Sequence, residues 1–285
     1  ASKVPLRYAV TRKGGTVLHR WTEDHNKMVV IDGQVAWTGG ANISDSFSRF
    51  HDLMVRLEGA AARDMDQLFA FDWEVAGRGV RPEVPDLSYT GQGLPVNGSS
   101  EGRASVRVVS TGVGRLSFEG AVVNAIRSAR RSIQVQQHQF GYDLLIDELI
   151  AAHRRGVEVR VLLDPCNIDQ FIPLINHGPR AIFNAHAAIR LRQADVPVRV
   201  VKVEETFDAY HMKLGIFDET TMLVGSGNWE RMGCDRATET VLEVAGGPAV
   251  TSVVAWQNRL WTHQSEPPRA GFTAHMIHLL MNLYF

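Results

Sequence analysis

The feature that most constrains this 285-residue chain is a phrase that occurs twice. His25-Asn26-Lys27, Asp32 and Gly39-Gly40-Ala41-Asn42 return as His211-Met212-Lys213, Asp218 and Gly225-Ser226-Gly227-Asn228, at identical offsets within each copy. Each copy is followed at nearly the same distance by a carboxylate, Asp52 in the first and Glu239 in the second. A repeat of that length has to be read before any single element, because it implies two copies of one structural unit. The flanking text repeats as well. Met28-Val29-Val30-Ile31 and Val35-Ala36-Trp37 bracket Asp32-Gly33-Gln34, as Leu214-Gly215-Ile216-Phe217 and Met222-Leu223-Val224 bracket Asp218-Glu219-Thr220. Short apolar runs around an Asp-centred turn predict a hairpin in each copy, with His and Lys on the approach to its first strand. A further strand is expected at 52–57 and 239–244, then a helix over 60–73 and 248–261.

Between the copies the chain turns rich in Gly, Pro and Ser, with Pro82, Pro85, Pro95 and Asn97-Gly98-Ser99-Ser100, a composition that suits a connection. The expected organisation is therefore a first half over 1–76, a linker over 77–104 and a second half over 105–285. Within the second half, strands at 106–109, 132–136 and 157–163 alternate with helices at 118–130 and 144–155. That alternation argues for α/β halves, each a mixed, mostly parallel sheet flanked by helices. Val196-Pro197-Val198-Arg199-Val200-Val201, the strand before the second phrase, has a twin in Val4-Pro5-Leu6-Arg7-Tyr8-Ala9-Val10. Residues 105–195 precede it in the second half and only 1–3 in the first. The front of the first half is thus expected to come from a companion N-terminal fragment or chain, since unpaired sheet edges are normally covered.

Composition narrows the function classes. Hydrophobic content of 45% and charged content of 21% are those of a globular protein. A formal net charge of −1 gives no global field for nucleic acid, although a local basic groove would suffice for one. Arginines at 127, 130 and 131 and at 154, 155 and 160 read as solvated faces of surface elements. Cys166 and Cys234 are too few for a disulfide framework and lack metal-ligand spacing. His275 and His278 have no evident companions for a metal and sit in a stretch, 272–285, that reads as a terminal helix on the core. No run of about 18 apolar residues predicts a membrane span. No cofactor or metal is expected, and the compartment is not legible.

Residues two apart on a strand face the same side, so His25 projects with Lys27 and His211 with Lys213. If the repeats meet across a pseudo-two-fold axis, one pocket holds two imidazoles, two ammonium groups and the carboxamides of Asn42 and Asn228. That set suits a phosphodiester. Lys27, Lys213, Asn42 and Asn228 can hold the non-bridging oxygens as charge develops. One imidazole can attack phosphorus while the other protonates the leaving oxygen. Asp52 and Glu239 can each accept the far ring N–H of a histidine and fix its tautomer, the task of the third group in a catalytic triad. Lysine is scarce here, at positions 3, 13, 27, 202 and 213, so two at the phosphate positions suggest that a compact point charge is wanted. Asp32 and Asp218, in turns, are expected to support rather than react. Ser226, its counterpart Gly40, His138 beyond a strand end and Trp229 after Asn228 are the candidates for bordering substrate.

HNKMVVID…GGAN and HMKLGIFD…GSGN match the HxK(x)4D…G[GS]xN signature of the phospholipase D superfamily, and the chain resembles that family over 4–73 and 106–261. The resemblance implies metal-independent phosphodiester cleavage or exchange through a phosphohistidine, on paired α/β halves with the active site at their interface. It implies His25 as nucleophile and His211 as acid, with the reverse left open. The first-half text Trp37-Thr38-Gly39-Gly40-Ala41-Asn42, His51 to Gly59 and Phe71-Asp72-Trp73-Glu74 looks most like the cardiolipin synthase branch. A phospholipid substrate, taken at a membrane surface by a peripherally associated enzyme, is the favoured expectation, with no nucleic acid. The alternatives are a nuclease on DNA or RNA and an inactive binding or scaffold protein.

Overall fold

The computed structural model describes residues 23–78, 104–111, 118–164, 179–202 and 209–268. The strand expected at 4–10, the connection over 79–103 and the terminal helix expected at 272–285 lie outside them. The first half runs β1 (Glu23–Asp24), β2 (Met28–Ile31), β3 (Val35–Gly39), a 3-10 turn (Asp45–Phe47), β4 (Phe50–His51), β5 (Met54–Glu58) and α1 (Ala60–Arg78). The second begins with β6 (Ser105–Ser110), α2 (Phe118–Ser128), β7 (Ser132–Gln137), α3 (Asp143–Arg154), β8 (Glu158–Leu163), α4 (Pro179–Gln193) and β9 (Val198–Val201). It continues with β10 (Ala209–Tyr210), β11 (Lys213–Phe217), β12 (Thr221–Gly225), a π-helical turn (Met232–Arg236), β13 (Ala237–Thr238), β14 (Thr240–Ala245), α5 (Gly247–His263) and β15 (Ser265–Glu266).

The large sheet has the order β15-β9-β8-β7-β11-β12-β14-β6. It is mixed, but parallel pairing is narrower than the sequence suggests: only β7–β8 and β8–β9 run parallel, and every other neighbour pair is antiparallel. The alternation of strand and helix reads correctly for that one end. The other end is built from the repeated hairpin, and hairpins join antiparallel strands. In the first half β2, β3 and β5 make the corresponding three-stranded antiparallel sheet.

Both hairpins close through residues with positive φ. Asp32 and Gly33 have φ of 53° and 62°, and Asp218 and Glu219 have 53° and 59°. Positive φ at both central residues matches the right-handed twist of the flanking strands, and Asp takes the first of them in both turns while Gly takes the second in the first turn only. Successive side chains of the large sheet serve opposite faces. On one face Val109, Val135, Val161, Phe217 and Val241 pack against Phe118, Val122 and Ile126 of α2, Leu145, Ile146 and Leu149 of α3 and Leu191 of α4. On the other, Leu214, Ile216, Leu242 and Val244 share one core with Ala36, Leu57, Met65 and Leu68 of the first half and Val250 and Leu260 of α5. Met65 and Leu68 are fully buried. Burial of such side chains contributes about 1.5–3 kcal/mol each, so the halves are joined by hydrophobic packing as well as by the site.

Candidate active site

Two short parallel pairings form the seam. β1 lies against β13, with Glu23 opposite Ala237 and Asp24 opposite Thr238, and β10 lies against β4, with Ala209 opposite Phe50 and Tyr210 opposite His51. The residues before each histidine therefore pair with those before the carboxylate of the other half. The registers continue one residue further, where the His25 N–H donates to Thr238 O at 3.0 Å and the His211 N–H donates to His51 O at 2.9 Å. The next contact is between side chains. His25 Nδ1 lies 2.8 Å from Glu239 Oε1, and His211 Nδ1 lies 2.6 Å from Asp52 Oδ2. The carboxylates are thus exchanged: each imidazole is oriented by the acid of the opposite half. Because a carboxylate only accepts, each Nδ1 carries the proton and Nε2 is left for chemistry.

The two ammonium groups are placed alike. Lys27 Nζ donates to His25 O at 2.7 Å and Lys213 Nζ donates to His211 O at 2.8 Å. Lys213 also stands 3.0 and 3.1 Å from the two ring nitrogens of His211. Burial dominates the electrostatics. It drives His211 well below the ordinary imidazole range, helped by the positive charge of Lys213 and then of His138, Lys27 and His25. Burial likewise pushes Asp52 up to about 6 against the pull of Lys213, and pushes Lys213 down to about 7 against the pull of Asp52. A pocket with buried cations held short of full solvation is suited to an anionic group.

A family model described as "Cardiolipin synthase, PLD-like domain" matches residues 122–261. Taken with the doubled signature and the paired imidazoles, it decides the family. The chain belongs to the phospholipase D superfamily. Among curated relatives, cardiolipin synthase A of Buchnera aphidicola subsp. Acyrthosiphon pisum is 25% identical over 216 residues, covering 72% of this chain and 41% of the relative. Cardiolipin synthase A of Erwinia tasmaniensis is 30% identical over 171 residues, covering 56% of this chain and 33% of the relative. This chain therefore spans about two-fifths of the length of the curated relatives it matches. The solved structure of phosphatidylserine synthase from Haemophilus influenzae Rd KW20 superposes with a TM-score of 0.62 at 12% identity, covering 92% of this chain and 68% of that one, a likeness of fold.

Within this phospholipase D fold the remaining predicted residues separate into those at the pocket and those that support it. Asn228 is 8% exposed and, among the described residues, no donor reaches its Oδ1. Asn42 is half-buried. Gly40 is needed for proximity: a Cβ there would stand 2.1 Å from Asp52 Oδ1. Ser226, expected to face substrate, is fully buried and donates its hydroxyl to Glu239 Oε2 at 2.5 Å while accepting from Thr240 N–H at 3.0 Å. Its role is to hold Glu239. Trp229, also expected at the pocket, is 1% exposed, bridges to Phe140 and stacks edge-on with that ring. Sequence adjacency to Asn228 misplaced it, because its ring belongs to the α2–α3 core. Asp218 catches the backbone N–H groups of Arg130, Arg131 and Ser132. Burial alone would raise its carboxyl, but those bonds hold it below the usual range.

His138 does reach the site, its ring centroid 4.5 Å from that of His211. Residues the sequence did not flag stand around it. Asp164, 4% exposed at the end of β8, accepts from Tyr210 N–H at 2.9 Å and lies 3.3 Å from His138 Nδ1. Phe47 and Phe50, from the turn after Asn42, bring their rings to 6.1 and 5.6 Å from that of His211. Asn26, the variable residue of the first HxK, bridges the halves by accepting from Thr240 Oγ1 at 2.7 Å and donating to Asp72 at 3.3 Å. An Asp ending a parallel strand was a usable signal for Asp164; nothing in the text marked the two phenylalanines. Among the described residues no group of His, Cys, Asp and Glu could hold a metal, and no helix is long and apolar enough to cross a membrane.

Proposed function

We propose that this chain carries out phospholipid phosphodiester transfer or cleavage of the cardiolipin synthase type, through a covalent phosphohistidine. The observation that carries the reading is the crossed arrangement of His25 with Glu239 and His211 with Asp52, each Nδ1 committed to a carboxylate. One Nε2 attacks phosphorus and forms a P–N bond as the P–O bond to the leaving alkoxide breaks. The second imidazole gives that alkoxide its proton. An acceptor hydroxyl then hands its proton to the same imidazole and attacks phosphorus, breaking the P–N bond and restoring both histidines. Water as acceptor gives hydrolysis and a lipid alcohol gives exchange. Lys27, Lys213 and the carboxamides of Asn42 and Asn228 hold the non-bridging oxygens, where preorganised donors are worth most.

The cardiolipin synthase relatives and the match to their domain model favour a lipid over nucleic acid. Phe47 and Phe50 beside His211 supply an apolar wall that suits the glycerol and upper acyl portion of a phospholipid. Peripheral attachment to the membrane that holds the substrate follows from this reading. The test is incubation in chelator with phosphatidylglycerol vesicles, and in parallel with single- and double-stranded DNA and RNA, followed by mass spectrometry of products. Glycerol release with cardiolipin or phosphatidic acid is the expected result. Nucleic-acid cleavage without lipid turnover overturns the substrate, and full activity in either His25→Gln or His211→Gln overturns the shared site.

A further inference from the structure

The two imidazoles are equivalent by sequence but unequal in their surroundings, and the difference centres on His138. That residue follows β7, is 5% exposed, and donates its backbone N–H to Met212 O at 2.7 Å, one residue beyond His211. Its carbonyl accepts from Asn184 Nδ2 at 3.0 Å. Nδ1 of its ring faces two acceptors, Tyr210 O at 3.2 Å and Asp164 Oδ2 at 3.3 Å, so Nδ1 holds a proton in every protonation state of the ring. Asp164 also fixes the Tyr210 N–H. The same carboxylate therefore registers both the strand end that leads into His211 and the ring that leans on it.

His211 meets a cationic or dipolar donor on most sides. Lys213, from β11, stands 3.0 and 3.1 Å from the two ring nitrogens, so its positive charge lies against the ring and opposes a second proton on it. His138 presses from the end of β7, and Lys27 and His25 act from the β1–β2 connection. Asp52, from the β4–β5 connection, takes the Nδ1 proton. Phe47 and Phe50 exclude water from the same ring. His25 is placed otherwise. Its side chain is 21% exposed, Glu239 is in contact, and the carboxylates of Glu230 and Asp24 both interact with its charge, with Lys27 as the opposing neighbour. Opposite charges near an imidazole favour its protonated form, and like charges with burial favour the neutral one.

Resting on the phosphohistidine reading, we infer that His138, anchored by Asp164, is a positioning residue that makes His211 the attacking imidazole and leaves His25 as the proton donor. This reverses the assignment expected from the resemblance. His138 does not touch phosphorus; it acts through His211, its positive charge beside the ring opposing a second proton there while Nδ1–H stays on Asp52.

Two measurements on the full chain test it. In the first, ring ¹⁵N spectra of labelled histidine are followed against pH, with His25 and His211 assigned by their Gln variants. The expected result is that the His211 midpoint lies below the ordinary imidazole range in the unsubstituted protein, and that His138→Gln raises it by about one unit, the size of a single near-neighbour effect. A His211 midpoint that His138→Gln leaves unmoved or lowers overturns the inference, and this readout needs no turnover. In the second, His25→Gln and His211→Gln are compared on a phosphodiester with a p-nitrophenolate leaving group, which departs without an acid. In His25→Gln the first-turnover release should fall about 10²–10⁴-fold with an alkoxide leaving group but under about tenfold with nitrophenolate, and the phosphoryl adduct, cleared slowly without His25 as base for the second step, should map to His211. An adduct on His25, or nitrophenolate turnover surviving in His211→Gln alone, overturns the assignment. Failure to turn over any phosphodiester overturns the function instead, leaving the response of the His211 midpoint to His138→Gln to decide the role of His138.

Discussion

Exchange of carboxylates between the halves makes a prediction that distinguishes two substitutions of the same chemical kind. In Asp52 the two oxygens have separate tasks: Oδ1 accepts from the Leu53 N–H at 2.9 Å and Oδ2 from His211 Nδ1 at 2.6 Å. In Asp52→Asn the backbone N–H selects the carbonyl oxygen for the first task, so the amide NH₂ turns to His211. A donor facing Nδ1 forces its proton onto Nε2, the atom that has to react. The loss therefore has two parts. Removing a charge-assisted bond costs about 1.5–3 kcal/mol, or roughly 10–150-fold. Inverting the tautomer adds to it, and a comparable Asp→Asn change in a serine protease lowers kcat about 10⁴-fold.

Glu239→Gln has an exit that Asp52→Asn lacks. The Ser226 hydroxyl that donates to Glu239 can instead accept from an amide, since it also lies 3.3 Å from Thr240 O and can donate there. The Gln carbonyl is then free to keep the His25 Nδ1–H, so the tautomer survives and only the charge is lost, about 10–100-fold. The assay is kcat on phosphatidylglycerol vesicles, paired with ring ¹⁵N shifts that report which nitrogen is protonated. Asp52→Asn should convert His211 to its Nε2–H form and leave His25 unchanged, with the larger loss of rate. Equal losses, or a shift confined to His25 in the Asp52 variant, refute the crossed pairing.

Gly40→Ala should abolish turnover while leaving the fold, because its Cβ would meet Asp52 Oδ1 at 2.1 Å and displace it from His211; lipid turnover with unchanged far-ultraviolet circular dichroism checks this. Asp218→Ala should lower stability by about 2 kcal/mol in urea at neutral pH, three backbone N–H partners being worth less near the surface than when buried. Because the Asp218 carboxyl is held below its usual range, the difference from the unsubstituted protein should fade as pH drops through the acid range. The pH profile of kcat/KM should be a narrow bell. Its acid limb reflects Asp52, raised to about 6 and needed ionised, and its alkaline limb reflects Lys213, lowered to about 7 and needed charged. Bound phosphate favours the ammonium form, so the alkaline limb of kcat should lie at higher pH than that of kcat/KM, and coincident limbs contradict the role of Lys213.

What could be read from the sequence was what local chemistry dictates. Asp32-Gly33 announces its turn because few residues accept positive φ, Asp218-Glu219 is legible as its repeat, and apolar runs on both sides complete the hairpins. Histidine and lysine two apart announce a shared face. The exchange of Asp52 and Glu239 was not legible, because it is set by two-residue pairings between segments far apart in the chain, 23–24 with 237–238 and 50–51 with 209–210. Those pairs carry no pattern of their own. Ser226 and Trp229 were misplaced for a related reason: nearness to Asn228 in sequence does not say which face a side chain takes, and both point inward. Parallel pairing was overestimated because the strand-helix alternation of 105–163 was extended to a sheet whose other end is hairpin.

A site built on the seam also places unfavourable charge inside the core, and that has a measurable consequence at Lys213. Its side chain is 3% exposed, and burial lowers its affinity for a proton, opposed by Asp52, Glu239 and Asp164. A lysine whose proton is held less tightly in the folded protein than in the unfolded chain costs stability most where both states are protonated, at low pH. In Lys213→Met that cost vanishes and the stem volume is kept. Removing the ammonium also strips Asp52 of its main countercharge, a penalty that appears only once Asp52 ionises. Both effects run in the same direction. The Met variant should be inactive yet more stable than the unsubstituted protein by about 1–3 kcal/mol near pH 5, with the gain shrinking by pH 8. Urea unfolding at the two pH values checks it. A variant less stable at both would mean that Lys213 is structurally required by its carboxylate neighbours, and that its placement serves the fold before it serves the phosphate.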